Sequence, residues 1–380
     1  MKKKLLLSPG PTHVPPQALL SMAQPIIHHR TPEYVEIFNE VREKLKYLFQ
    51  TKNEVLTLSS SGTGAMEGAV SNLLSKGDKA LVVIGGKFGE RWAEICNSYG
   101  IEVVPIEVEW GMGVDPNLIA ETLEKDHEIK AVYTTMNETS TGVVYDIENI
   151  AKIIRKKENC ILVVDAISAI GALPCPTDEW GLDVVVAGSQ KALMIPPGLA
   201  FACLSDKAWN FVEKSSLPKY YFDFKKERKN LLKGQTAYTP AVSLVVAIKE
   251  TLTMIQEEGL ENIFHRHQRL ARATRAAVKA IGLELLAPQS PSNAVTAVKA
   301  PEGVDAQEIV KKMKGKYGMI IAGGQAHLKG KIFRIAHLGY ADLSDTFSAI
   351  ACLEMSCKEL GLPVTLGAGI RAAQEIFLTD

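Results

Sequence analysis

Short runs of Val, Ile and Leu that alternate with helical patterns constrain this chain of 380 residues more than any other feature. The β-rich runs lie at 54–58, 79–84, 101–106, 130–134, 160–165, 183–187 and 199–204. Helical patterns fill most of the gaps, at 64–75, 86–98, 116–125 and 147–156. Nearly continuous apolar strands separated by helices are typical of a buried, mostly parallel sheet. We therefore expect an α/β fold whose ligand lies outside the carboxyl ends of the strands.

The pattern changes near residue 240. Beyond it, a helical stretch covers 242–281 with a break near Gly259, and more helices are expected near 305–316 and 343–360. Strand-like runs lie at 292–298 and 331–336, so this part is typical of an α+β domain. The first residues are rich in turn formers and predict an extended arm rather than a packed element. We expect an N-terminal arm over 1–16, a large cofactor-binding α/β domain over 17–260 and a small α+β domain over 261–380.

Charge and apolar runs exclude several classes of protein. Lys plus Arg and Asp plus Glu both number 43, and this balance argues against a dedicated binder of nucleic acid or of anionic membranes. The apolar run Leu5–Leu7 is shorter than the roughly 7 residues that a signal peptide needs, and no stretch approaches the roughly 20 residues of a membrane span. None of the six cysteines forms a CxxC pair, so we expect buried thiols, no metal site and a cytoplasmic protein.

The loop after the first strand, Ser59–Ala65, is rich in serine and glycine and leads into a helical pattern. Glycine lets the backbone approach a ligand closely, and a helix N-terminus offers free N–H groups and the positive end of a dipole. The loop is therefore a candidate phosphate site, although it lacks the lysine of a P-loop. An ordinary Ser/Gly helix cap is the alternative that this loop alone leaves open.

Two ionisable residues follow later strands. Asp165 ends an apolar run, where a buried carboxylate is costly unless it pairs with a cation or a protonated heterocycle. Lys191 follows the run 183–187 among small and apolar residues, where desolvation would lower its pKa and make its amine a nucleophile. Taken singly, the favoured explanations are a turn or helix-cap aspartate and a lysine on a surface loop, although the apolar residues after Lys191 fit a surface loop less well.

Together, the phosphate loop, the aspartate and the lysine suit one cofactor. Pyridoxal 5'-phosphate has a phosphate, a ring nitrogen that binds an acidic group and an aldehyde that bonds to a lysine. Because the three features follow strands of one parallel sheet, the sequence favours a site for this cofactor at the carboxyl edge of the sheet.

Further segments extend this interpretation over essentially the whole chain. They are Ser8–Thr12, His29–Thr31, Ser61–Gly64, Glu138–Gly142, Val164–Ala166, Gly188–Ala192, Pro196–Gly198 and Phe333–Ile335. In these segments and their order the chain resembles the class V aminotransferases, above all the alanine–glyoxylate and serine–glyoxylate or serine–pyruvate transaminases. The specific part is Ser-Gln-Lys-Ala at 189–192 with Pro-Pro-Gly at 196–198. The resemblance implies a fold-type I PLP-dependent transferase with helices on both faces of a mostly parallel central sheet.

The resemblance also implies roles for the matching residues. Lys191 would bond covalently to the cofactor and shuttle the substrate Cα proton, and Asp165 would keep the pyridine nitrogen protonated. Arg334 would clamp the substrate α-carboxylate, with Gly10 also at the substrate. The other cofactor contacts would come from Thr63, Gly64, Ala65 and Gln190 around the phosphate, Thr139 near the phenolic oxygen, and Ile167 and Phe88 at the ring.

A loop at Gly234–Pro240 matches the segment that reaches the neighbouring subunit's phosphate in this family. Gln235, Thr236 and Tyr238 offer an amide and two hydroxyls for that contact. The resemblance therefore implies a homodimer with shared active sites. Docking on the partner would also explain how the turn-rich arm stays ordered.

The substrates are less closely defined by the sequence. No second arginine stands out for the side chain of a dicarboxylate, which favours alanine or serine as amino donor and glyoxylate or pyruvate as acceptor. Aspartate aminotransferase of the same family is the first alternative. A cysteine desulfurase-like enzyme and a non-catalytic complex subunit that kept the fold are others. Phe88 stands where many relatives have a tryptophan, and it can stack but cannot donate an N–H.

Overall fold

The computed structural model describes residues 3–379. The strands are β1 (Leu5–Leu6), β2 (Val55–Leu58), β3 (Lys79–Ile84), β4 (Glu102–Glu107), β5 (Ile129–Thr135), β6 (Asn137–Glu138), β7 (Val143–Val144), β8 (Ile161–Asp165), β9 (Val184–Gly188), β10 (Ala200–Leu204), β11 (Glu284–Leu285), β12 (Val295–Lys299), β13 (Met319–Ile320), β14 (Ala322–Gly323) and β15 (Ile332–Ala336). The seven runs predicted before residue 205 coincide with strands to within one residue at each end.

The helices are α1 (Pro16–Met22), α2 (Pro32–Phe49), α3 (Gly62–Leu73), α4 (Lys87–Ser98), α5 (Pro116–Lys125), α6 (Ile147–Ile154), α7 (Thr177–Trp180), α8 (Asp206–Lys214), α9 (Phe224–Leu231), α10 (Val242–Glu258), α11 (Leu260–Ala280), α12 (Ala306–Lys312), α13 (Leu343–Glu359) and α14 (Ala368–Thr379). Several begin at side-chain caps; Asp342, for example, accepts a hydrogen bond from the backbone N–H of Asp345 at the start of α13. None of the helices within the described residues combines the length and apolar character needed to span a bilayer.

A seven-stranded sheet lies at the centre, in the order β2-β10-β9-β8-β5-β3-β4. The strands from β9 to β4 run parallel, and β10 is antiparallel to both of its neighbours. The fold is thus the expected mostly parallel α/β arrangement. Since β8 and β9 are adjacent and parallel, with Asp165 opposite Val186, the residues that follow both strands emerge at the same edge.

A second sheet of four antiparallel strands has the order β11-β12-β15-β14. Arg334 lies on its inner strand β15, opposite Ala297 on one side and Ala322 on the other. The apolar core has a large cluster around the seven-stranded sheet and a second cluster around the four-stranded one. Helix α11 contributes Phe264 to the first cluster and Val278 to the second, so the division between residues 260 and 261 stays a prediction.

The described part of the N-terminal arm, residues 3–16, pairs with its own chain, so its order does not require a partner, and its docking on a neighbouring subunit stays a prediction. Leu5 and Leu6 pair in parallel with Met319 and Ile320, as β1 and β13. Leu5 and Leu7 are buried in the second core cluster. This pairing could not be predicted from the sequence, because a two-residue strand that joins segments more than 300 positions apart leaves no local periodicity.

Candidate active site

Lys191 and Asp165 lie together at the carboxyl edge of the seven-stranded sheet, where the sequence predicted a site. Lys191 is 9% exposed and Asp165 is 3% exposed. Lys191 follows β9 in a tight turn, closed by the backbone N–H of Met194 on the Lys191 carbonyl at 3.1 Å. The Asp165 carboxylate accepts the backbone N–H of Ile167 at 2.8 Å. Two ionisable side chains with opposite charge are thus buried at adjacent strand ends.

Burial disfavours the charged form of both groups. It lowers the pKa of Lys191 to about 8, although the Asp165 carboxylate opposes this shift. It raises the pKa of Asp165 to about 7, against the hydrogen bond from Ile167, which lowers it. Perturbed pKa values in one place are typical of functional sites. The amine is therefore close to the range in which it serves as a nucleophile and a base.

The predicted phosphate loop ends in an open helix N-terminus. Helix α3 begins at Gly62 and has no side-chain cap hydrogen bond from Ser61 within the described structure. The guanidinium of Arg91 donates to the Thr63 hydroxyl at 3.3 Å and also lies over the Phe88 ring. Free N–H groups, a helix dipole and a cation thus meet at one point, which suits an anion.

The glycines of this loop allow it to pack closely against side chains of its own chain. A Cβ on Gly64 would stand 2.4 Å from the Ser60 hydroxyl, and one on Gly62 would stand 2.5 Å from the Ile167 side chain. Ala65 is fully buried behind them in α3. The Gln190 side-chain oxygen is buried without a hydrogen-bond partner among the described residues. As an acceptor, this oxygen would suit a hydrogen-bond donor.

A network of hydroxyls lines the next part of the edge. The Thr139 and Ser168 hydroxyls lie 2.6 Å apart, and the Asn137 amide donates to Ser168 at 2.8 Å. The Asn137 side-chain oxygen is buried and has no hydrogen-bond partner in the described part of the chain. Thr139 was expected from the sequence, whereas Asn137 and Ser168 were not singled out.

Arg334 reaches the site from the four-stranded sheet. Its Nε and Nη2 donate to the Gly323 carbonyl at 3.0 and 2.8 Å, and its Nη1 donates to the Thr139 carbonyl at 2.9 Å. Because a guanidinium has five N–H groups, one remains on Nη1 and one on Nη2. No carboxylate within residues 3–379 forms a salt bridge with this buried arginine, so the fork is available to an anion.

The fully buried carboxylate of Glu138 connects these parts. It accepts the backbone N–H groups of Phe88 and Gly89, both at 3.1 Å, and the backbone N–H and hydroxyl of Ser140 at 3.1 and 2.5 Å. Burial raises its pKa, and these donors oppose that shift. Glu138 therefore fixes the start of α4, which carries Phe88, against the turn that carries Thr139.

The loop Gly234–Pro240 makes its hydrogen bonds away from Lys191. The Thr236 hydroxyl donates to the Tyr238 carbonyl at 2.6 Å, and the Tyr238 hydroxyl donates to the Tyr220 carbonyl at 2.8 Å. Gln235 accepts a hydrogen bond from Arg30. No hydrogen bond within residues 3–379 joins Gln235, Thr236 or Tyr238 to the phosphate loop of the same chain. Their predicted contact with a neighbouring subunit stays a prediction.

Sequence reasoning missed Arg91, Asn137 and Ser168. A signal existed for Arg91, since it stands three positions after Phe88 in a helical pattern and shares its face. Ser168 follows Asp165 by three positions, in the turn after β8. Asn137 offered no comparable signal, because its contact depends on the hairpin β6–β7.

Comparison with known proteins defines the class. The family Aminotransferase class-V matches residues 5–337. The chain is 40% identical to L-aspartate–glyoxylate aminotransferase from Paracoccus denitrificans, over 97% of this chain and 95% of the relative. It is also 40% identical to serine–glyoxylate aminotransferase from Methylorubrum extorquens, over 97% and 94%. The chain belongs to the class V aminotransferase family.

Two further similarities complete this comparison. The chain is 47% identical to a Synechococcus protein named soluble hydrogenase, small subunit, over 99% of both chains. The crystal structure of ureidoglycine–glyoxylate aminotransferase from Bacillus subtilis superposes with a TM-score of 0.95, at 29% identity, over 99% of this chain and 98% of that one. The fold is that of the fold-type I PLP-dependent aminotransferases, as the sequence implied.

The residues present fit pyridoxal phosphate, the cofactor of this family. The open N-terminus of α3 suits the phosphate, and the amide nitrogen of Gln190 would be the group that donates to it, since an anion accepts hydrogen bonds. The buried Asp165 carboxylate suits a protonated ring nitrogen, and the Lys191 amine suits the aldehyde.

Proposed function

We propose that this chain transfers the amino group of a small amino acid, alanine or serine, to a 2-oxo acid, glyoxylate or pyruvate, in a ping-pong reaction. The observation that carries the proposal is the arrangement of Lys191, Asp165 and Arg334: a buried amine, a buried carboxylate and an arginine fork at one edge. The names of both glyoxylate aminotransferases described above include glyoxylate, which supports this acceptor.

Each of the three side chains has a separate task. When bound, pyridoxal phosphate supplies an electron sink and an aldehyde for the amino group. Lys191 Nζ takes the proton from the substrate Cα and returns one, since its lowered pKa leaves a share of neutral amine near neutral pH. Asp165 holds a proton at the ring nitrogen position. The Nη1 and Nη2 groups of Arg334 orient the α-carboxylate that donor and acceptor share.

The position of the other arginine near the site supports a small donor. Arg91 donates to the Thr63 hydroxyl at the phosphate loop, at 3.3 Å. We therefore assign Arg91 to the phosphate side rather than to a second substrate carboxylate. Aspartate remains the alternative donor because one relative carries it in its name.

An activity matrix tests the proposal. Purified, cofactor-loaded protein is assayed with alanine, serine and aspartate against glyoxylate, pyruvate and 2-oxoglutarate. We expect the highest kcat/KM for alanine or serine with glyoxylate or pyruvate. A preference for aspartate would overturn the donor assignment, and no transamination with any pair would overturn the function.

Two alternative functions, a cysteine desulfurase and a non-catalytic subunit, can each be compared with a specific observation. A desulfurase needs a reactive cysteine, but all six cysteines here are buried, and burial raises the pKa of five of their thiols to about 12. A role as a non-catalytic subunit is suggested by the name of the Synechococcus relative. Absence of a borohydride-stable cofactor adduct on Lys191 would favour the subunit role, whereas its presence supports the enzyme.

We propose further that the enzyme is a homodimer whose subunits share their active sites. Support comes from Gln235, Thr236 and Tyr238, which lie on a loop that makes no hydrogen bond to its own phosphate loop within the described structure. The aromatic Tyr220 and Tyr221 side chains beside that loop are 73% and 45% exposed, and an interface would cover them.

Mixing two inactive variants tests shared sites. One is Lys191→Ala, and the other carries Ala at Gln235, Thr236 and Tyr238. Random exchange places half of the chains in mixed dimers, where one site of two has neither lesion, so about a quarter of wild-type activity should return. Each variant incubated alone is the control. Mixtures that stay inactive while sedimentation shows exchanged dimers would contradict shared sites.

A further inference from the structure

The Lys191 amine is hydrogen-bonded to the N-terminal arm. Its Nζ donates to the Pro9 carbonyl at 2.6 Å, a contact between segments 182 positions apart. This is the hydrogen bond that the described structure gives to Nζ. A protonated amine has three N–H groups, and leaving them without acceptors in a buried site is costly. The Pro9 carbonyl therefore stabilises a free Lys191 amine in one position.

Gly10 provides the space for this contact. A Cβ on Gly10 would lie 2.4 Å from Lys191 Nζ and 2.7 Å from both Cδ and Cε. The residue also has φ +138°, a backbone conformation that L side chains rarely adopt. Any side chain at position 10 would thus occupy the volume that the terminal half of the lysine side chain now fills.

The arm is held firmly on both sides of this contact. The Thr12 backbone N–H donates to the Gln190 carbonyl at 3.1 Å, and the Thr12 hydroxyl donates to the Lys191 carbonyl at 2.8 Å. Toward the N-terminus, the Leu7 carbonyl accepts the backbone N–H of Ala336 at 2.8 Å. The carbonyl of Pro9 is therefore placed by the backbone next to the lysine and by the four-stranded sheet together.

We propose that Pro9 and Gly10 form a seat for the Lys191 amine, which the amine occupies when it is neither bonded to the cofactor nor engaged with a substrate. The Pro9 carbonyl orients the amine, and the absent side chain of Gly10 lets the lysine enter. Gly10 is thus a positioning residue that acts through Lys191. This inference rests on the proposed function of Lys191, and it adds to the expected substrate contact of Gly10 a task that concerns the lysine.

The wild-type protein allows a direct test. Pyridoxamine 5'-phosphate, the amine form of the cofactor, cannot bond to a lysine amine, so a crystal structure of this complex shows where free Lys191 lies. We expect Nζ within about 3 Å of the Pro9 carbonyl, the distance of a hydrogen bond. A well-ordered Nζ turned away from Pro9 would overturn the inference.

A double-mutant cycle separates the seat from general strain. Pyridoxal phosphate affinity is measured by titration for wild type, Gly10→Ala, Lys191→Ala and the double variant. Gly10→Ala should tighten binding about tenfold when Lys191 is present, because it removes the seat that stabilises only the free amine, and it should have little effect when Lys191 is absent, because only contacting groups couple. Equal changes in both backgrounds would show that the methyl group acts on the arm alone and would contradict the seat.

Gly303→Ala serves as the matched control. Gly303 also has positive φ, +78°, but a Cβ there would meet nothing within 4 Å. Its effect on affinity should be equally small in both backgrounds. Failure of borohydride to fix the cofactor on Lys191 would refute the proposed function instead. A fixed cofactor without coupling between positions 10 and 191 would refute the seat alone.

Discussion

At the carboxyl edge of the seven-stranded sheet, burial disfavours the charges of Lys191 and Asp165, whereas Arg334 on the four-stranded sheet keeps its charge at neutral pH. The pKa values of the first pair move toward each other, to about 8 and about 7. Burial also lowers the pKa of Arg334, but only to about 10. The Gly323 and Thr139 carbonyls accept three of its N–H groups.

The difference separates two kinds of work. Groups with pKa values near neutrality exchange protons readily, as acid–base chemistry requires. A permanent cation held by backbone carbonyls recognises a carboxylate in the same way before and after the reaction. One sheet thus provides a lysine that changes its protonation state beside a carboxylate, and the other provides a charge that does not change.

The largest expected effect is the loss of turnover when the Lys191 amine is removed. Lys191→Ala is expected to lower kcat about 10⁴-fold, the upper range for a positioned acid–base group. The visible absorbance of lysine-bound cofactor should disappear as well. Lys219→Ala is the matched control, because Lys219 is also partly desolvated, with a lowered pKa, but its amine bonds to Ser71 and Ser215. A Lys191→Ala enzyme with wild-type turnover would show that the assignment is wrong.

Asp165→Asn changes the other buried ionisable group at the same sheet edge and should have a smaller effect. An amide keeps the shape but cannot hold a proton at the ring nitrogen as a carboxylate does, so we expect cofactor binding with kcat lowered about 10²- to 10³-fold. Steady-state kinetics and cofactor titration measure the two quantities. Asp183→Asn changes another buried carboxylate, which accepts from Leu162 and Ser205, and should leave kcat unchanged in the folded fraction. Equal losses in both variants would point to folding rather than chemistry.

Arg334→Lys tests the role of the arginine that stays charged on the four-stranded sheet. Lysine keeps the charge but loses the fork, and each lost charge-assisted hydrogen bond weakens binding by about tenfold or more. KM should rise for the amino donor and for the oxo acceptor alike, because both carry the α-carboxylate. The matched control is Arg275→Lys, a largely buried arginine that bonds to Ser292 and Asn293. A rise in KM for only one substrate would count against the clamp.

The smallest expected effect is on the thermal stability of the apoprotein, and it tests the same difference between Lys191 and Arg334. Between pH 8 and 10.5, folded Lys191 is neutral while the unfolded chain keeps the proton, so wild-type stability rises with pH in this window. Below pH 8 both states are protonated, and the buried charge has its full cost. Lys191→Met should therefore raise the melting temperature by a few degrees at pH 7, with the gain shrinking toward pH 10.5.

Melting curves of both apoproteins across this range provide the measurement. Arg334→Met should show no such shrinkage below pH 9, since the pKa of Arg334 stays near 10. A gain for Lys191→Met that is independent of pH would mean that packing, and not charge, causes it.

Local patterns in the sequence were sufficient for the parallel strands and for Lys191 and Asp165. Each of these follows an apolar run, and runs of this kind need no distant information. The contacts of Arg334 with Gly323 and Thr139 were beyond that reasoning, because they join three separate segments. Helices α8, α9 and α14 were also not predicted, because their sequences did not stand out from the surrounding pattern.

The six buried cysteines have a practical consequence. A thiol reagent reacts with the thiolate, which burial both hides and disfavours, so labelling of the native protein should proceed only through opening of the structure. Cys96, Cys160, Cys175 and Cys203 lie in the core around the seven-stranded sheet, and Cys352 and Cys357 lie in the core around the four-stranded one. Labelling followed residue by residue in a mass spectrometer would therefore measure how often each core opens, without any engineered probe.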